Sequence, residues 1–160
     1  MTAMPTSDVI DAVPDAPSCD TQFQQYGRKR VVAGPIRTLK VFQDNGLVKA
    51  TLATPGNGAI LVVDGGASLY SALCGDMIAT SAMENGWAGI VINGAIRDSA
   101  LIATMDISVK ALGTNPRKSA KDAQGEQDIT VSFGGVDFVP GHYLYSDDDG
   151  LVVYRKRFKC

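Results

Sequence analysis

The chain has 160 residues, of which 45% are hydrophobic and 20% charged, and its formal net charge is −2 at pH 7. This length and composition predict a single globular domain over residues 1–160, and the charge gives no reason to expect direct nucleic-acid binding. Three widely spaced cysteines without a CxxC pair argue against a zinc site or a disulfide framework. No apolar run reaches the ~20 residues of a membrane span, and no signal peptide is evident. We therefore expect a cytoplasmic protein without a membrane partner.

The first quarter of the chain predicts two short helices around one strand. Thr6 or Ser7 is a candidate cap for the first helix, and Pro14 is its expected end. In chain order, the predicted elements are a helix over 8–12, an irregular segment over 14–25 and a strand over 31–41. Residues 44–46 then form either a turn or the entry to a helix that reaches about residue 53.

The centre of the chain predicts a parallel β-α-β unit. Residues 60–63 and 87–92 are short apolar runs typical of buried strands, and the amphipathic run 77–85 between them predicts a helix that ends at a glycine. Strand, helix and strand of this spacing form a parallel pair with a right-handed crossover. Asn93-Gly94 is expected to end the second strand. The predicted class is therefore α/β, built around this unit.

Beyond the centre, β character dominates. In chain order we predict a short helical turn over 101–105, a third parallel strand over 107–113, a polar surface excursion over 115–128, strands over 129–133, 136–139 and 150–154, and a solvated basic tail over 155–160.

Several polar groups follow the carboxyl ends of the predicted strands. Residues 64–66 end the first central strand, Gly75-Asp76 begin the helix, and Arg97-Asp98 follow the second strand. In open α/β sheets, ligands bind outside these strand ends, and the free amides of a helix start favour an anion. We therefore expect an anion-binding helix start, an arginine and a carboxylate to share one cleft.

Each candidate also has a structural interpretation. Asp76 is a possible helix cap, and adjacent Arg97-Asp98 is a possible exposed ion pair of little energetic worth. The remaining candidates are assigned structural roles: Asp64 in a strand-end turn, His142 in a loop, residues 147–149 in a turn and Cys74 in packing.

Four segments together resemble the RraA-like family: 61–66, 74–76, 87–98 and 145–150. That family contains regulators of ribonuclease E activity and divalent-metal 4-hydroxy-4-methyl-2-oxoglutarate aldolases. The likeness extends over residues 31–154. It implies a layered β/β/α fold like the swivelling phosphohistidine domain, and a homotrimer or dimer of trimers with sites at subunit boundaries.

The resemblance also implies an enzyme. The family's enzymes carry an acidic residue, twenty intervening residues and then Arg-Asp, and here Asp76, residues 77–96 and Arg97-Asp98 fit that pattern. Family members that act only as ribonuclease regulators have lost the first acid. One position departs from the family, since many members carry an acid where this chain has Leu101.

The implied activity is the cleavage of 4-hydroxy-4-methyl-2-oxoglutarate to pyruvate, with oxaloacetate decarboxylation through a shared pyruvate enolate. No motif positions a lysine for a Schiff base. A divalent cation, Mg²⁺ or alternatively Mn²⁺, is therefore expected to absorb the developing charge.

The expected roles divide among a few residues. Asp98 is the metal ligand, Asp76 holds a metal-bound water or a proton in transit, and Arg97 donates to the carboxylate or the enolate oxygen. The pyruvyl carboxylate is expected to bind the amides of Gly75, Asp76, Met77 and Ile78.

Two alternatives stay open. One is a ribonuclease E-type regulator that acts through protein–protein contact without catalysis. The other is a metal-dependent 2-oxo acid lyase with a different leaving group, because the sequence does not fix what lies beyond the pyruvyl half of the substrate.

Overall fold

The computed structural model describes residues 3–158 of the chain. Its helices are α1 (Thr6–Ala12), α2 (Gly46–Leu52), α3 (Asp76–Glu84) and α4 (Ser99–Ile102). Its strands are β1 (Gln24–Gln25), β2 (Val32–Lys40), β3 (Ile60–Asp64), β4 (Gly89–Ile96), β5 (Ser108–Thr114), β6 (Glu126–Gln127), β7 (Val131–Phe133), β8 (Val136–Phe138), β9 (Tyr143–Asp147) and β10 (Gly150–Tyr154). In this part of the chain, no helix is long and apolar enough to span a bilayer. The last two residues of the predicted tail, Lys159 and Cys160, lie outside the described residues.

A mixed sheet with the order β1-β5-β4-β3-β2-β9-β10 forms the centre of the fold, and β6 also pairs with β2. Strands β2 to β5 are mutually parallel, whereas β1, β6, β9 and β10 pair antiparallel with their neighbours. The predicted α/β class, the central β-α-β unit and the third parallel strand are confirmed. The likeness to the swivelling phosphohistidine domain and the single-domain boundary stay predictions.

Both faces of the sheet are covered. In β3, Leu61 and Val63 pack in a core that includes buried residues of α2, α3 and α4. Ile60 and Val62 pack on the opposite face, against the separate two-stranded sheet of β7 and β8. Burial on both faces explains why β3 and β4 are continuous apolar runs rather than alternating ones.

Strand β4 is longer than its predicted counterpart at the carboxyl end. Trp87 precedes the strand instead of beginning it, and Asn93-Gly94 lies inside the strand, so the prediction that this pair ends it is wrong. The register with β5 shifts between Ile92 and Ala95, which is a bulge. Because a bulge accommodates an extra residue without ending the pairing, β4 continues to the residue before Arg97.

Other predicted boundaries also need correction. Neither Thr6 nor Ser7 caps α1, because the helix begins at Thr6 after Pro5 without a side-chain cap. Helix α4 begins at Ser99 rather than within 101–105. Strand β1 lies in the segment predicted to be irregular and β6 in the predicted surface excursion, and β9 was not predicted as a strand. The strands β1 and β6 have only two residues each, so they exist through tertiary pairing and carry no periodic signal.

Asp147 attaches α1 to the sheet. The Thr6 backbone N–H and hydroxyl donate to its carboxylate oxygens at 2.8 and 2.7 Å, and the Asp149 N–H donates at 3.0 Å. Burial alone would raise the pKa of Asp147, but these hydrogen bonds and the charge of Lys110 hold that pKa below its usual value. The turn predicted over 147–149 is confirmed as the β9–β10 connection.

We expect Asp147→Asn to lower the free energy of unfolding at pH 7 by about 1–3 kcal/mol, because buried donors lose a charged acceptor. The folded pKa lies below the unfolded value of ~3.9, so this stabilisation is present above about pH 4 and is lost as pH falls through the folded pKa. Urea unfolding at pH 7 and pH 3 measures it, and the gap between wild type and variant should narrow at pH 3. Asp148→Asn, at an exposed ion pair with Arg30, is the control. A gap of equal size at both pH values would contradict the prediction.

Candidate active site

A cleft lies at the carboxyl ends of β3 and β4, at the start of α3, and encloses about 160 Å³. It brings together every site residue predicted from the sequence: Gly75, Asp76, Met77, Ile78, Arg97 and Asp98. The arrangement follows from the parallel topology, because the carboxyl ends of β3 and β4 meet at the same edge of the sheet.

The segment before α3 is hydrogen-bonded to the end of β4. The Leu73 N–H donates to the Ala95 carbonyl at 2.8 Å, and the Arg97 N–H donates to the Cys74 carbonyl at 2.9 Å. These bonds continue the pairing of β4 beyond the end of β3. They bring the first turn of α3 next to Asp98.

The Asp98 carboxylate points at the amino end of α3. Its Oδ2 accepts a hydrogen bond from the Asp76 backbone N–H at 3.1 Å. The φ angle of Asp98 is 57°, in the left-handed region that non-glycine residues seldom adopt. Asp98 occupies the N-cap position of α4 but makes no capping hydrogen bond there. The Asp98 carboxylate therefore contacts the start of α3 rather than capping α4.

Gly75 leaves the space that the Asp98 carboxylate occupies. A Cβ at Gly75 would lie 2.7 Å from Asp98 Oδ2 and 3.4 Å from Arg97 Nε. Its φ of −127° is accessible to any residue, so the requirement for glycine here is one of space.

Arg97 makes only a loose ion pair with Asp98. Nε lies 3.9 Å from Asp98 Oδ2, and the two side chains are 36% and 34% exposed. Such a pair contributes at most ~1 kcal/mol, so it does not compete strongly with a bound anion for the guanidinium donors.

Cys74 lies next to the cleft but is completely buried in the core that faces the helices. Burial, together with the negative charges of Asp98 and Asp76, raises the pKa of the Cys74 thiol to about 12. The thiol therefore stays protonated at neutral pH and is a poor nucleophile. Its contacts fit the predicted packing role.

Asp64 and His142 do not line the cleft. Asp64 Oδ1 accepts hydrogen bonds from the Gly66 N–H at 3.0 Å and from Asn93 Nδ2 at 3.1 Å, which holds the turn after β3. His142 lines a separate groove with residues near β8 and β10. Both positions fit the structural roles predicted for them.

Sequence reasoning missed three lysines of the cleft: Lys49 on α2, and Lys118 and Lys121 after β5. The segment 115–128 was predicted to be a surface excursion, yet its first part forms a cleft wall. No motif or periodicity marks it, because its position depends on pairing with distant residues. All three lysines are exposed, whereas a Schiff-base lysine is usually buried so that it loses its proton near neutral pH. Lys110, the buried lysine among the described residues, lies outside the cleft.

The carboxylates of the cleft fit some metals and exclude others. Asp76 and Asp98 are its acidic side chains, and within residues 3–158 no group of three or more His, Cys, Asp or Glu residues could hold a metal ion. A zinc site needs three or four such side chains, so it does not fit. Mg²⁺ fits, because it retains several waters and binds through one or two carboxylates and substrate oxygens.

Comparison with known proteins identifies the family of this chain. A family model described as RraA-like, Aldolase/RraA, matches residues 6–153. This chain belongs to the RraA-like family. The resemblance predicted from the sequence is therefore confirmed, and the description of the family includes both an aldolase and RraA.

Solved structures of similar RraA-like chains include proteins with very different names. A protein of Geobacillus kaustophilus HTA426, named S-adenosylmethionine:2-dimethylmenaquinone methyltransferase, has 48% identity and a TM-score of 0.95, covering 97% of each chain. The RNA-processing inhibitor RraA of Thermus thermophilus has 40% identity and a TM-score of 0.95, covering 99% of this chain and 96% of its own. Streptomyces coelicolor RraAS2, an unusual member of the RNase ES inhibitor RraA protein family, has 27% identity and a TM-score of 0.76, covering 95% and 80%.

We expect Gly75→Ala to displace the Asp98 carboxylate while leaving the fold intact, since the new methyl group meets a side-chain atom. Affinity for Mn²⁺, followed by the electron paramagnetic resonance of the free ion, should fall by about 10–100-fold. The free energy of unfolding should change by less than ~1 kcal/mol.

The matched control for this prediction is Gly113→Ala, whose Cβ would meet only Leu69 Cδ2, at 3.7 Å. It should keep wild-type affinity for Mn²⁺. Unchanged affinity in Gly75→Ala would show that Asp98 does not ligate the ion or tolerates the displacement, and would contradict the prediction.

Proposed function

We propose that this protein is a divalent-metal aldolase that cleaves 4-hydroxy-4-methyl-2-oxoglutarate to pyruvate and also decarboxylates oxaloacetate. The observation that supports it is the convergence of Asp76, Arg97 and Asp98 on one cleft at the amino end of α3. In this arrangement, one small anion would be surrounded by the guanidinium of Arg97, by helix amides and by two carboxylates that can hold a cation. Membership of the RraA-like family is consistent with this activity, but it does not distinguish an aldolase from a ribonuclease regulator.

The size of the cleft supports a small substrate. Its volume of about 160 Å³ lies below the ~300–1,000 Å³ of pockets that hold drug-sized ligands. A 2-oxo acid of a few carbons is therefore a better match than a nucleoside-containing cofactor such as the one in the name of the Geobacillus relative.

The substrate carboxylate binds at the first turn of α3, where the helix dipole and the amides of Gly75, Met77 and Ile78 favour an anion. The Asp76 amide, also predicted from the sequence to bind this carboxylate, is not free for it, because it donates to Asp98 Oδ2. Asp98 would hold the divalent cation, which we propose to be Mg²⁺, with Mn²⁺ as the alternative. When bound, that cation supplies Lewis-acid polarisation of the 2-oxo group. Arg97 donates to the oxygen on which negative charge develops, and donors of this kind are commonly worth ~10²–10³-fold in rate.

The reaction breaks the bond between C3 and C4 of the substrate. The C4 hydroxyl gives up its proton and becomes a carbonyl, while the electron pair of the broken bond passes into the enolate of pyruvate. A proton then returns to C3, so each substrate gives two pyruvates. Asp76 moves these protons through water. Oxaloacetate loses CO₂ and leaves the same enolate, so a single site can carry out both reactions.

Metal-loaded wild type should decarboxylate oxaloacetate, and Asp98→Ala should lose at least ~10²-fold in kcat/KM, as should Arg97→Ala. The measurement compares pyruvate release with and without added Mg²⁺ or Mn²⁺. Asp106→Asn, at an exposed ion pair with Arg28, is the control and should keep wild-type rates. Wild-type protein that turns over neither oxaloacetate nor 4-hydroxy-4-methyl-2-oxoglutarate when loaded with metal would refute the proposal.

Two observations support a second function, regulation of a ribonuclease E-type enzyme through protein contact. A relative with 40% identity over nearly its whole length is named an RNA-processing inhibitor. In addition, Leu101 on α4 is 54% exposed, at the position where many members of the family carry an acid.

If regulation is the function, this protein should bind and inhibit a ribonuclease E-type enzyme at micromolar concentration. Asp98→Asn should inhibit as well as wild type, because contact rather than catalysis would cause inhibition. Co-sedimentation and RNA cleavage assays measure the two effects. The absence of a complex at ~10 μM would exclude this function for that ribonuclease.

We also propose that the protein assembles as a homotrimer or a dimer of trimers. Large apolar side chains are exposed near the cleft end of the sheet: Phe42, Tyr70, Met77 and Leu101. Exposed apolar surface of this kind is typical of contact sites, so an assembly that covers it is favourable. From the same family resemblance, we propose that the fold is similar to that of the swivelling phosphohistidine domain.

A further inference from the structure

The positive charge of this chain is concentrated in two short runs. Six of the fifteen lysine and arginine residues form two runs of the same sequence, Arg28-Lys29-Arg30 and Arg155-Lys156-Arg157. All six residues are exposed. The net charge of −2 is an average over the whole chain, so it does not reveal a local concentration of this kind.

The fold brings the two runs together at one small pocket, although they lie near opposite ends of the chain. Lys29 and Arg157 both line this pocket, which encloses about 120 Å³, and two tyrosines and a phenylalanine line it as well. Among the described residues, none that lines the pocket is acidic. Residues 28–30 and 155–157 therefore form a single basic patch at this pocket.

Phe158 fixes the second run against the sheet. Its backbone N–H donates to the Tyr145 hydroxyl at 2.7 Å, and its ring stacks on that of Tyr154 with 4.9 Å between the ring centroids. The Phe158 ring also packs in the cluster that contains residues of α1, β9 and β10. Residues 155–157 are exposed, as predicted for a solvated tail, but their backbone is anchored. Binding of an anion therefore costs less ordering of this segment.

Acidic side chains neutralise only part of the basic patch. Within residues 3–158, Lys29, Arg155 and Lys156 form no ion pair. The Arg155 guanidinium lies over the Tyr154 ring, 5.2 Å from its centroid. The two arginines of the first run form exposed ion pairs, Arg28 with Asp106 at 3.8 Å and Arg30 with Asp148 at 2.7 Å. Exposed ion pairs are weak, so these arginines remain available to an anion that carries several charges.

The basic patch lies at the opposite end of the parallel strands from the cleft. Residues 28–30 lie just before β2, and Ala88, which lines the pocket, immediately precedes β4. The cleft, in contrast, follows the carboxyl ends of β3 and β4. A ligand of the basic patch therefore binds independently of the proposed substrate and cation.

The size of the pocket limits the kind of anion that fits. Its volume of about 120 Å³ lies below the ~300–1,000 Å³ of pockets that hold a whole drug-sized ligand, so it accepts one group of a larger molecule. The cations continue beyond the pocket along both runs, so the rest of that molecule must carry further negative charges. An extended polyanion meets both conditions.

The aromatic rings of the pocket favour a polyanion that carries a planar group at each repeat. Tyr143 and Phe158 line the pocket together with Lys29 and Arg157. Cations that follow a phosphate backbone, combined with rings on which bases stack, are the means by which proteins bind single-stranded nucleic acid. An acidic peptide has no planar group at each repeat, and a flat anionic membrane would leave the pocket empty.

We infer that the basic patch binds single-stranded nucleic acid without base specificity, with phosphates at residues 28–30 and 155–157 and one base in the pocket. Stacking and phosphate contacts tolerate any sequence, because every base has an aromatic face. The inference is independent of the proposed lyase function. It replaces the expectation of no direct nucleic-acid binding, which rested on the net charge of the whole chain.

The test measures the fluorescence anisotropy of a labelled decauridylate with the full chain. Lys29→Met and Lys156→Met should each weaken binding about three- to tenfold at about 50 mM salt, because one phosphate contact is lost. Each should also reduce the slope of log K against log salt concentration by about 0.7. Phe158→Ala removes a ring but no charge, so it should weaken binding about fivefold or more with the slope unchanged.

Lys40→Met is the matched control. Lys40 is exposed at the carboxyl end of β2, away from the basic patch, and its replacement changes the net charge by the same amount. This variant should bind decauridylate as wild type does. Equal losses in Lys40→Met and in the two patch variants would overturn the inference, because the attraction would then be general. The absence of binding by wild type at ~100 μM protein would also overturn it.

An abasic strand with the same number of phosphates tests the role of the base. It keeps the contacts to the cations but has nothing to place in the pocket, so wild type should bind it about fivefold or more weakly than decauridylate. Equal affinity for the two strands would overturn the inference.

Competition distinguishes nucleic acid from other anions. Polyglutamate and vesicles that contain phosphatidylserine should each displace labelled decauridylate less well than the unlabelled strand does at equal charge concentration. Stronger displacement by either would overturn the inference, since an acidic protein or a membrane surface would then be the ligand.

A cleft variant separates this inference from the lyase proposal. Asp98→Asn should bind decauridylate as wild type does, whether or not the wild-type protein decarboxylates oxaloacetate. Weaker binding by Asp98→Asn would place the nucleic acid in the cleft and overturn the inference.

Discussion

The hydrogen bond from the Asp76 amide to the Asp98 carboxylate joins the two halves of the cleft. It requires three local features at once: a helix that starts at Asp76, a left-handed backbone at Asp98, and no side chain at Gly75. It also requires β4 to extend past β3, so that Arg97 can bond to Cys74. The bulge within β4 supplies that extension.

The carboxylates of this protein fall into two groups with different environments. Asp44 and Asp147 are buried. Asp44 accepts four backbone N–H donors, and Asp147 accepts two backbone N–H donors and the Thr6 hydroxyl. Their charge is used to hold a loop and a helix against the sheet. Asp98, in contrast, is one third exposed and has a single backbone donor, so it retains capacity to bind a cation. All three residues are aspartates, so their hydrogen bonding, rather than their type, distinguishes the structural carboxylates of Asp44 and Asp147 from the candidate metal ligand Asp98.

The same edge of the sheet carries both proposed functions. The cleft and the exposed apolar side chains of Met77 and Leu101 follow the carboxyl ends of the parallel strands. A fold by itself does not specify chemistry, and the RraA-like family includes both an aldolase and RraA. What favours catalysis in this chain is the chemistry of individual groups, above all an acid at Asp76 and the partly exposed carboxylate of Asp98.

The sequence by itself determined the centre of the fold and the part of the site that residues 75–78, 97 and 98 form. The apolar runs of β3 and β4, the amphipathic run of α3 and the spacing of Asp76 from Arg97-Asp98 are local signals, and each survives in the structure. Only the tertiary structure decided the short strands β1 and β6, the full length of β4 and the wall that carries Lys118 and Lys121. The physical reason is that their hydrogen bonds join residues far apart in the chain. Asp44 bonds amides nearly eighty residues away and Ser119 a carbonyl 47 residues away, and no local periodicity encodes such contacts.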